Sequence, residues 1–260
     1  MARFQAVLFD WAGTTVDYGS RAPALVFIEI FRRRGIDITE AEARGPMGRS
    51  KREHIAAITD LPRVGDLWCD KYGNRPADAD VQAMYDEFLP LQKEILTKHS
   101  DVIPGIPEAV AECRRRGLKI GSNTGYTREL MEVVAPLAAN GGYSPDVIVW
   151  SDDVLAGRPA PWRNCHAAER LGVISLSSLL VVDDTPIGIV AGVNTGATTV
   201  AVTQTGNALG LTEAEIAELP AGELETRLAA IDQQFRKAGA HHLVRTVAEL
   251  PQLLDRLEAE

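Results

Sequence analysis

The stretch Ala6-Val-Leu-Phe-Asp10-Trp-Ala-Gly-Thr-Thr15 decides the fold of this chain of 260 residues. Its apolar residues, Ala6 to Phe9, predict a short strand buried on both faces, as in a parallel sheet covered by helices. Asp10 follows the strand directly, and Gly13 permits a tight turn. Ligands of open α/β sheets lie at the carboxyl ends of the strands, so Asp10 is predicted to face a site. Taken alone, it is equally consistent with a turn or helix-capping aspartate.

Similar short apolar runs recur along the chain and predict further buried strands, at 118–121, 147–149, 179–182 and 198–202. The segments between these runs have helical spacing and end at glycines, as 106–116 ends at Gly117. Strands that alternate with helices predict a parallel α/β sheet.

Residues 20–99 break this alternation, because they lack a good strand pattern and contain segments with apolar residues at helical spacing. We predict an α/β catalytic core of residues 1–19 and 100–260 and an inserted all-α cap domain of residues 20–99. An insert that leaves the chain after the first strand would stand over the carboxyl ends of the strands as a lid.

Composition excludes several classes of function. The chain has 27 basic and 36 acidic residues, a net charge of −9, which argues against nucleic acid and against an anionic membrane surface as partners. No apolar run approaches the ~18 residues of a membrane span, and the N-terminal run is too short for a signal peptide. Three widely spaced cysteines support neither a disulfide framework nor a zinc site. We therefore expect a soluble cytoplasmic protein.

Three more strand ends carry residues that can act on a phosphoryl group. Ser122-Asn-Thr124-Gly125 offers hydroxyls and backbone N–H groups, Arg158 offers a cation, and Asp183-Asp184 offers acids that suit Mg²⁺. The first two have ordinary explanations as a helix cap and a solvated loop arginine. Together with Asp10, the set provides a nucleophile, a phosphate holder, a cation and a metal-binding acid, which phosphoryl transfer requires.

The order of these motifs resembles the haloacid dehalogenase superfamily, which implies a Rossmannoid core with an inserted cap. Two positions depart from the superfamily pattern. Ala12 stands where phosphatases of the superfamily have a second aspartate that protonates the leaving oxygen, so this general acid is missing. Gly188 stands where a further acid often follows the metal-binding aspartate, which implies a thinner metal shell or one completed by water.

The predicted cap contains Pro46-Met47-Gly-Arg-Ser-Lys51-Arg-Glu-His54, in which Lys51 and His54 are three residues apart and share a helix face. A lysine forms a Schiff base with an aldehyde when it is partly neutral. The nearby Arg49 and Arg52, together with desolvation, would lower the pKa of Lys51 accordingly. Spacing alone is also consistent with an exposed, solvated basic helix start.

These segments, with Asp10-Trp-Ala-Gly-Thr-Thr-Val-Asp-Tyr-Gly19, Gly121-Ser-x-Thr-Gly-Tyr-Thr127 and Ala156-Gly-Arg-Pro-x-Pro-Trp162, resemble the phosphonoacetaldehyde hydrolase (phosphonatase) family over nearly the whole chain. The resemblance implies a homodimer that uses Mg²⁺ to convert a small phosphonate substrate, phosphonoacetaldehyde, and water into acetaldehyde and phosphate. It implies that Lys51 forms the imine and that Asp10 attacks phosphorus. An iminium can accept the electron pair of the C–P bond, so a general acid at Ala12 is not needed.

The resemblance also assigns the remaining site residues. It implies metal binding by Asp10, the Ala12 carbonyl and Asp184, phosphoryl binding by Thr124, Gly125 and Arg158, packing of Met47 near the imine, and proton handling or positioning by His54 and Tyr126.

Two alternatives remain open. A phosphatase or phosphotransferase of the same superfamily would act on a small phosphate ester and use Lys51 only to bind a substrate anion, which Ala12 argues against. A catalytically inactive binding module would explain Gly188, but the intact Asp10, Thr124, Arg158 and Asp184 oppose it.

Overall fold

The computed structural model describes residues 3–47 and 51–259. The described chain contains six β-strands, β1 Ala6–Phe9, β2 Lys119–Asn123, β3 Val147–Val149, β4 Leu179–Asp183, β5 Thr198–Val202 and β6 His242–Val244. It also contains twelve α-helices, α1 Arg21–Arg32, α2 Glu40–Arg44, α3 Lys51–Thr59, α4 Pro62–Tyr72, α5 Asp78–Leu96, α6 Ile106–Arg115, α7 Arg128–Asn140, α8 Trp162–Arg170, α9 Pro186–Thr195, α10 Glu213–Glu218, α11 Ala221–Lys237 and α12 Leu250–Ala259.

All six strands are parallel and lie in the order β3-β2-β1-β4-β5-β6. The predicted parallel α/β fold is therefore confirmed, with the first strand at the centre of the sheet. The apolar run of β1 is completely buried, as a central strand covered on both faces requires. Strand β6 was not predicted, because its three residues begin with the polar His242 and form no apolar run of ordinary strand length.

The predicted bounds of two strands were wrong. Strand β2 continues to Asn123 and β4 continues to Asp183, two and one residues beyond the apolar runs that identified them. These polar residues lie within the strands because their side chains are satisfied by buried hydrogen bonds rather than by water.

The chain forms two compact units, Met1–Arg21 with His99–Glu260 and Ala22–Lys98. The second unit contains helices and no strand among its described residues. Its core is built from aromatic and aliphatic side chains of α1, α3, α4 and α5, among them Phe27, Phe31, Ile58, Trp68 and Phe88. Helices α2 and α4 were not predicted, since α2 has five residues and α4 contains Gly65 and begins at Pro62.

In the unit that contains the sheet, Ala6 and Leu8 of β1 pack with α8. Helix α9 packs against β4 and β5, and α11 packs against α9. The three cysteines are unpaired. Among the described residues, no helix has the length and continuous apolar character that a membrane crossing requires.

Leu8 is a direct test of this packing, because it is fully buried and a Cβ placed on Gly121 of the neighbouring strand would lie 2.6 Å from Leu8 Cδ2. Leu8→Ala is expected to lower the free energy of unfolding by about 2–5 kcal/mol through lost burial and a residual cavity. Ile174→Ala, at a fully exposed position, is the matched control, with an expected change within about 0.5 kcal/mol. Urea unfolding measures both, and equal losses would contradict this packing.

Candidate active site

Three aspartates meet at the carboxyl ends of the two central strands. Phe9 of β1 is level with Val182 of β4, so Asp10 and Asp183, the next residues, come side by side. Asp184 follows, and each of the three acids offers a carboxylate oxygen within 4.8 Å of the others. All three are buried. Asp10 and Asp184 were each predicted at the end of a strand, and the structure shows that these two strands are neighbours.

The carboxylates of this cluster resist being charged together. Burial and the neighbouring Asp10 carboxylate raise the pKa of both Asp183 and Asp184, although hydrogen bonds and Arg158 act in the opposite direction. Carboxylate oxygens gathered at such distances are the donors that Mg²⁺ takes, and a divalent charge would remove the repulsion. The residues present therefore fit a magnesium ion.

Arg158 supplies the positive charge next to this cluster. Its Nη2 donates to Asp10 Oδ1 and to Asn123 Oδ1, the latter at 2.8 Å, and lies 3.0 Å from Asp183 Oδ2. Burial disfavours the guanidinium charge, but the Asp10 and Asp183 carboxylates outweigh it and raise the pKa of Arg158 above its ordinary value. Arg158 is thus held charged beside the predicted nucleophile.

The turn after β1 holds Asp184 from the other side. Thr14 Oγ1 donates to Asp184 Oδ1 at 3.1 Å, and the backbone N–H of Asn207 donates to Oδ2 at 2.8 Å. Gly13 has a φ of +84°, and a Cβ there would lie 2.3 Å from Asp184 Oδ2. The turn therefore requires glycine for its backbone conformation and for the approach of the carboxylate. Ala12 lies in this turn, where its backbone forms an isolated β-bridge with Val16.

The residues predicted to hold phosphate do not all lie past the end of the strand. Ser122 belongs to β2, and its Oγ accepts a hydrogen bond from Trp11 Nε1 at 2.9 Å, so it is a core residue and the prediction for its hydroxyl was wrong. Thr124 and the exposed Gly125 follow the strand. Thr124 Oγ1 accepts from the backbone N–H of Tyr126 at 3.0 Å, and the Thr124 carbonyl accepts from Arg163 Nη1.

The pKa values of Tyr126 and Arg163 are both shifted by burial and by nearby charges. Burial is the main cause that raises the pKa of Tyr126 well above its usual value, and the carboxylates of Asp17, Asp10 and Asp184 add to it. The phenol is therefore neutral, and its hydroxyl has no partner among the described residues. Burial and the adjacent Arg158 lower the pKa of Arg163 to about 10.

In the helical unit, Lys51 begins α3 and its Nζ lies 5.7 Å from the ring centre of Phe27 and 5.8 Å from that of Phe88. Burial lowers the pKa of Lys51 to about 8, so an appreciable fraction is neutral near neutrality. Among the described residues no carboxylate pairs with it. The predicted contribution of Arg52 was wrong, because its guanidinium is paired with Asp78 and burial alone lowers the pKa. Arg49 lies outside the described residues.

His54 lies three residues after Lys51 and also contacts Phe27, with the two ring centres 3.7 Å apart. Its Nε2 donates to the carbonyl of Ala43 at 2.8 Å, and the side chain is fully buried in the helical unit. Met47 is partly buried against the same hydrophobic core. The structure thus places His54 against one of the two aromatic rings that border Lys51, and Met47 against the hydrophobic core that contains both rings.

Sequence reasoning missed two residues of the cluster. Asn123 accepts from Arg158 and donates to Asn164 Oδ1 at 2.9 Å, and Asp183, seen only as half of an acidic pair, faces Arg158 as well. Both are the last residues of their strands, and no sequence signal shows how far β2 and β4 continue past their apolar runs. Nothing in the sequence pattern indicates the backbone contribution of Asn207.

The chain is similar to proteins of known family. Residues 4–196 match the sequence profile of haloacid dehalogenase-like hydrolases. The chain is 45% identical over 259 residues to phosphonoacetaldehyde hydrolase of Paraburkholderia xenovorans (strain LB400), over 100% of this chain and 97% of that protein. It is 46% identical over 258 residues to a bifunctional phosphonoacetaldehyde hydrolase/aminoethylphosphonate transaminase of Clostridioides difficile (strain 630), over 99% of this chain but 41% of that protein.

Among solved structures, the chain is similar to the crystal structure of a phosphonoacetaldehyde hydrolase-like protein from Oleispira antarctica. The TM-score is 0.93 at 35% sequence identity, and the match covers 99% of this chain and 93% of that chain.

Magnesium is expected to stabilise the protein by neutralising the charge of the carboxylate cluster. After treatment with a chelator, adding Mg²⁺ at a hundred times its dissociation constant should stabilise the wild type by about 2.7 kcal/mol. Asp184→Asn removes one of three like charges and keeps an oxygen for the Asn207 N–H. We expect it to have a higher Tm than the metal-free wild type and to lose the Mg²⁺-dependent increase. Equal Mg²⁺-dependent increases in both proteins, measured by circular dichroism, would contradict this assignment.

Proposed function

The chain belongs to the phosphonoacetaldehyde hydrolases within the haloacid dehalogenase-like hydrolase family, and we propose that it hydrolyses the C–P bond of phosphonoacetaldehyde through a Schiff base and an aspartyl phosphate. The observation that carries the proposal is the state of Lys51. Its pKa is lowered by burial to about 8, without a carboxylate partner among the described residues, in a chain that has Ala12 at the general-acid position.

In the first step, neutral Lys51 adds to the aldehyde carbon, water leaves, and a protonated imine forms. Asp10 then attacks phosphorus, the C–P bond breaks, and its electron pair moves toward the iminium to give an enamine. Protonation of the enamine at carbon and hydrolysis release acetaldehyde and Lys51. Water hydrolyses the aspartyl phosphate to release phosphate and Asp10. No bridging oxygen leaves in this sequence, so no acid is needed at position 12.

The phosphoryl oxygens are bound, in this proposal, by Thr124, the backbone of Gly125 and Arg158. Arg158 already lies against Asp10, where the attacked phosphorus must come. Mg²⁺ held by Asp10, Asp184 and the Ala12 carbonyl would neutralise the clustered negative charge of carboxylates and phosphoryl oxygens.

The remaining predicted residues act as positioning groups in the proposal. His54 stacks on Phe27 and so fixes one wall beside Lys51. Tyr126 keeps its proton and can donate a hydrogen bond from its hydroxyl, which has no partner among the described residues. Met47 lies beside the imine.

We further propose that the protein is a cytoplasmic homodimer. Sedimentation velocity measures its oligomeric state.

Lys51→Arg is expected to lower kcat for phosphonoacetaldehyde on the order of 10³-fold or more, since arginine keeps the charge but does not form an imine. The matched control is Lys71→Arg, the same change at an exposed lysine of the helical unit, with unchanged kcat. Acetaldehyde and phosphate release measure the effect. If Lys51→Arg retained a tenth of the wild-type kcat, imine catalysis would be wrong.

The pH profile gives a second test of Lys51. Because neutral Lys51 is the reactive form, kcat/KM should rise with pH and level off above a controlling pKa of about 8. Protonation below that pH removes the nucleophilic amine. If kcat/KM stayed constant down through the acid range, no amine with this pKa would take part in the reaction of the free enzyme.

Because position 12 is an alanine and not a general acid, we expect the enzyme to discriminate against leaving groups that need protonation. Simple alkyl phosphates should react about 10²- to 10⁴-fold more slowly than phosphonoacetaldehyde, the usual contribution of positioned proton transfer. An aryl phosphate with an activated leaving group is the control, because it needs no protonation. Comparable kcat/KM values for alkyl phosphates and phosphonoacetaldehyde would favour a phosphatase or phosphotransferase instead.

A further inference from the structure

Arg163 is a buried arginine that the proposed reaction does not use. It is the second residue of α8 and is only 6% exposed. In the described part of the chain it forms no ion pair with a carboxylate, and its Nε has no hydrogen-bond partner. Burial and the neighbouring Arg158 lower its pKa to about 10, so the guanidinium is still charged near neutral pH. A buried charge without a paired acid costs stability, and packing alone does not account for it.

The hydrogen bond of this side chain goes to the backbone. Arg163 Nη1 donates to the carbonyl of Thr124, the residue that follows β2. That carbonyl and the N–H of Gly125 belong to one peptide unit, which is trans. In a planar trans peptide the C=O and the N–H point in opposite directions. A guanidinium that holds the carbonyl therefore directs the Gly125 N–H away from itself.

The Gly125 N–H is available for a ligand. Gly125 is exposed, and its N–H donates to no atom of the described residues. The residues on either side of it are fixed, because the Thr124 N–H donates to the Val149 carbonyl at 3.0 Å and the Tyr126 N–H donates to the Thr124 hydroxyl at 3.0 Å. The turn thus holds an unused donor in a defined direction.

The position of the guanidinium also strengthens this donor. A charged group that donates to a peptide carbonyl polarises the peptide, and the N–H at its other end becomes a better donor. A Cβ placed on Gly125 would lie 3.9 Å from Arg163 Nη1, and a Cβ on Gly157 would lie 3.5 Å from Nη2. The guanidinium therefore lies between the turn after β2 and the loop that carries Arg158, the two segments that are proposed to bind phosphoryl oxygens.

We infer that Arg163 is a positioning residue of the phosphoryl site, which acts through the Thr124 carbonyl to orient and polarise the Gly125 N–H that donates to a phosphoryl oxygen. The side chain stays behind the peptide and does not touch the ligand. The inference rests on the proposed function in that a phosphoryl group lies against Gly125. It requires neither an imine at Lys51 nor cleavage of a C–P bond.

Binding of inorganic phosphate in the presence of Mg²⁺ tests the inference without turnover. Arg163→Met removes the donor and the charge and keeps an unbranched side chain. It should weaken phosphate binding, measured by calorimetry, by about 10- to 100-fold, the usual effect of losing a residue that orients a ligand-binding group. Arg163→Lys keeps a charged donor for a single carbonyl and should restore most of the affinity. The matched control is Arg170→Met in the same helix, whose arginine donates to the Ile148 carbonyl at 3.1 Å. It should bind phosphate like the wild type.

The amide proton of Gly125 gives a readout that a merely structural role would not move. In protein with isotope-labelled glycine, its resonance is identified by its absence from Gly125→Ala, where the new Cβ would make an ordinary contact of 3.9 Å with Arg163. Saturating phosphate should move this resonance downfield in the wild type and in Arg163→Lys, because the N–H then donates a hydrogen bond. In Arg163→Met the movement should be much smaller, although circular dichroism shows a folded protein.

The inference is overturned if folded Arg163→Met binds phosphate like the wild type. It is also overturned if this variant binds weakly while the Gly125 resonance still moves fully, since Arg163 would then act through its charge alone. A wild-type Gly125 resonance that does not respond to phosphate overturns it whichever variants fold. These outcomes are separate from a failure of the proposed function, because an enzyme that released no acetaldehyde from phosphonoacetaldehyde would still show the expected responses to phosphate.

Discussion

The burial of three carboxylates around one guanidinium is the constraint on which the rest of the structure depends. Asp10, Asp183 and Asp184 lie at the ends of two adjacent parallel strands, and Arg158 pairs with Asp10 and Asp183. The cluster keeps an excess of negative charge in a place from which water is largely removed, and such a charge is costly unless it is neutralised. A divalent cation would relieve this cost, so the arrangement that costs stability without a metal is the one proposed to bind metal and phosphate.

Close backbone approach makes the cluster possible. A Cβ on Gly206 would lie 2.5 Å from Asp184 Cβ, and Gly13 and Gly188 leave similar room for the carboxylates of Asp184 and Asp183. Small residues around the acids thus replace the bulky packing found elsewhere in the sheet. In the helical unit, the described neighbours of Lys51 include the rings of Phe27 and Phe88, and burial lowers its pKa.

The central sheet and the carboxylates at its edge could be predicted because parallel strands bring their carboxyl ends together, whatever the loops between them do. The positions of Asp10, Thr124 and Asp184 followed from that rule, whereas Arg158 lies in a loop well past the end of β3 and contacts Asp10 from there. The roles of Asn123 and Asp183 could not be predicted, since they depend on how far each strand continues past its apolar run. The surroundings of Lys51 also escaped prediction, because Phe27 and Phe88 reach it from helices distant in sequence. His54 was placed on the correct face by spacing, but its bond to the Ala43 carbonyl depends on tertiary packing.

The central claim is that Lys51 forms the imine and Asp10 attacks phosphorus. Borohydride reduction during exposure to phosphonoacetaldehyde tests it most directly. Peptide mass mapping should find a reduced adduct on Lys51 in both the wild type and Asp10→Asn. In the wild type the adduct should be mainly ethyl, because the C–P bond breaks before reduction. In Asp10→Asn it should be phosphonoethyl, since the imine forms but phosphorus is not attacked. An ethyl adduct in folded Asp10→Asn, or an adduct on any lysine other than Lys51, would contradict the account.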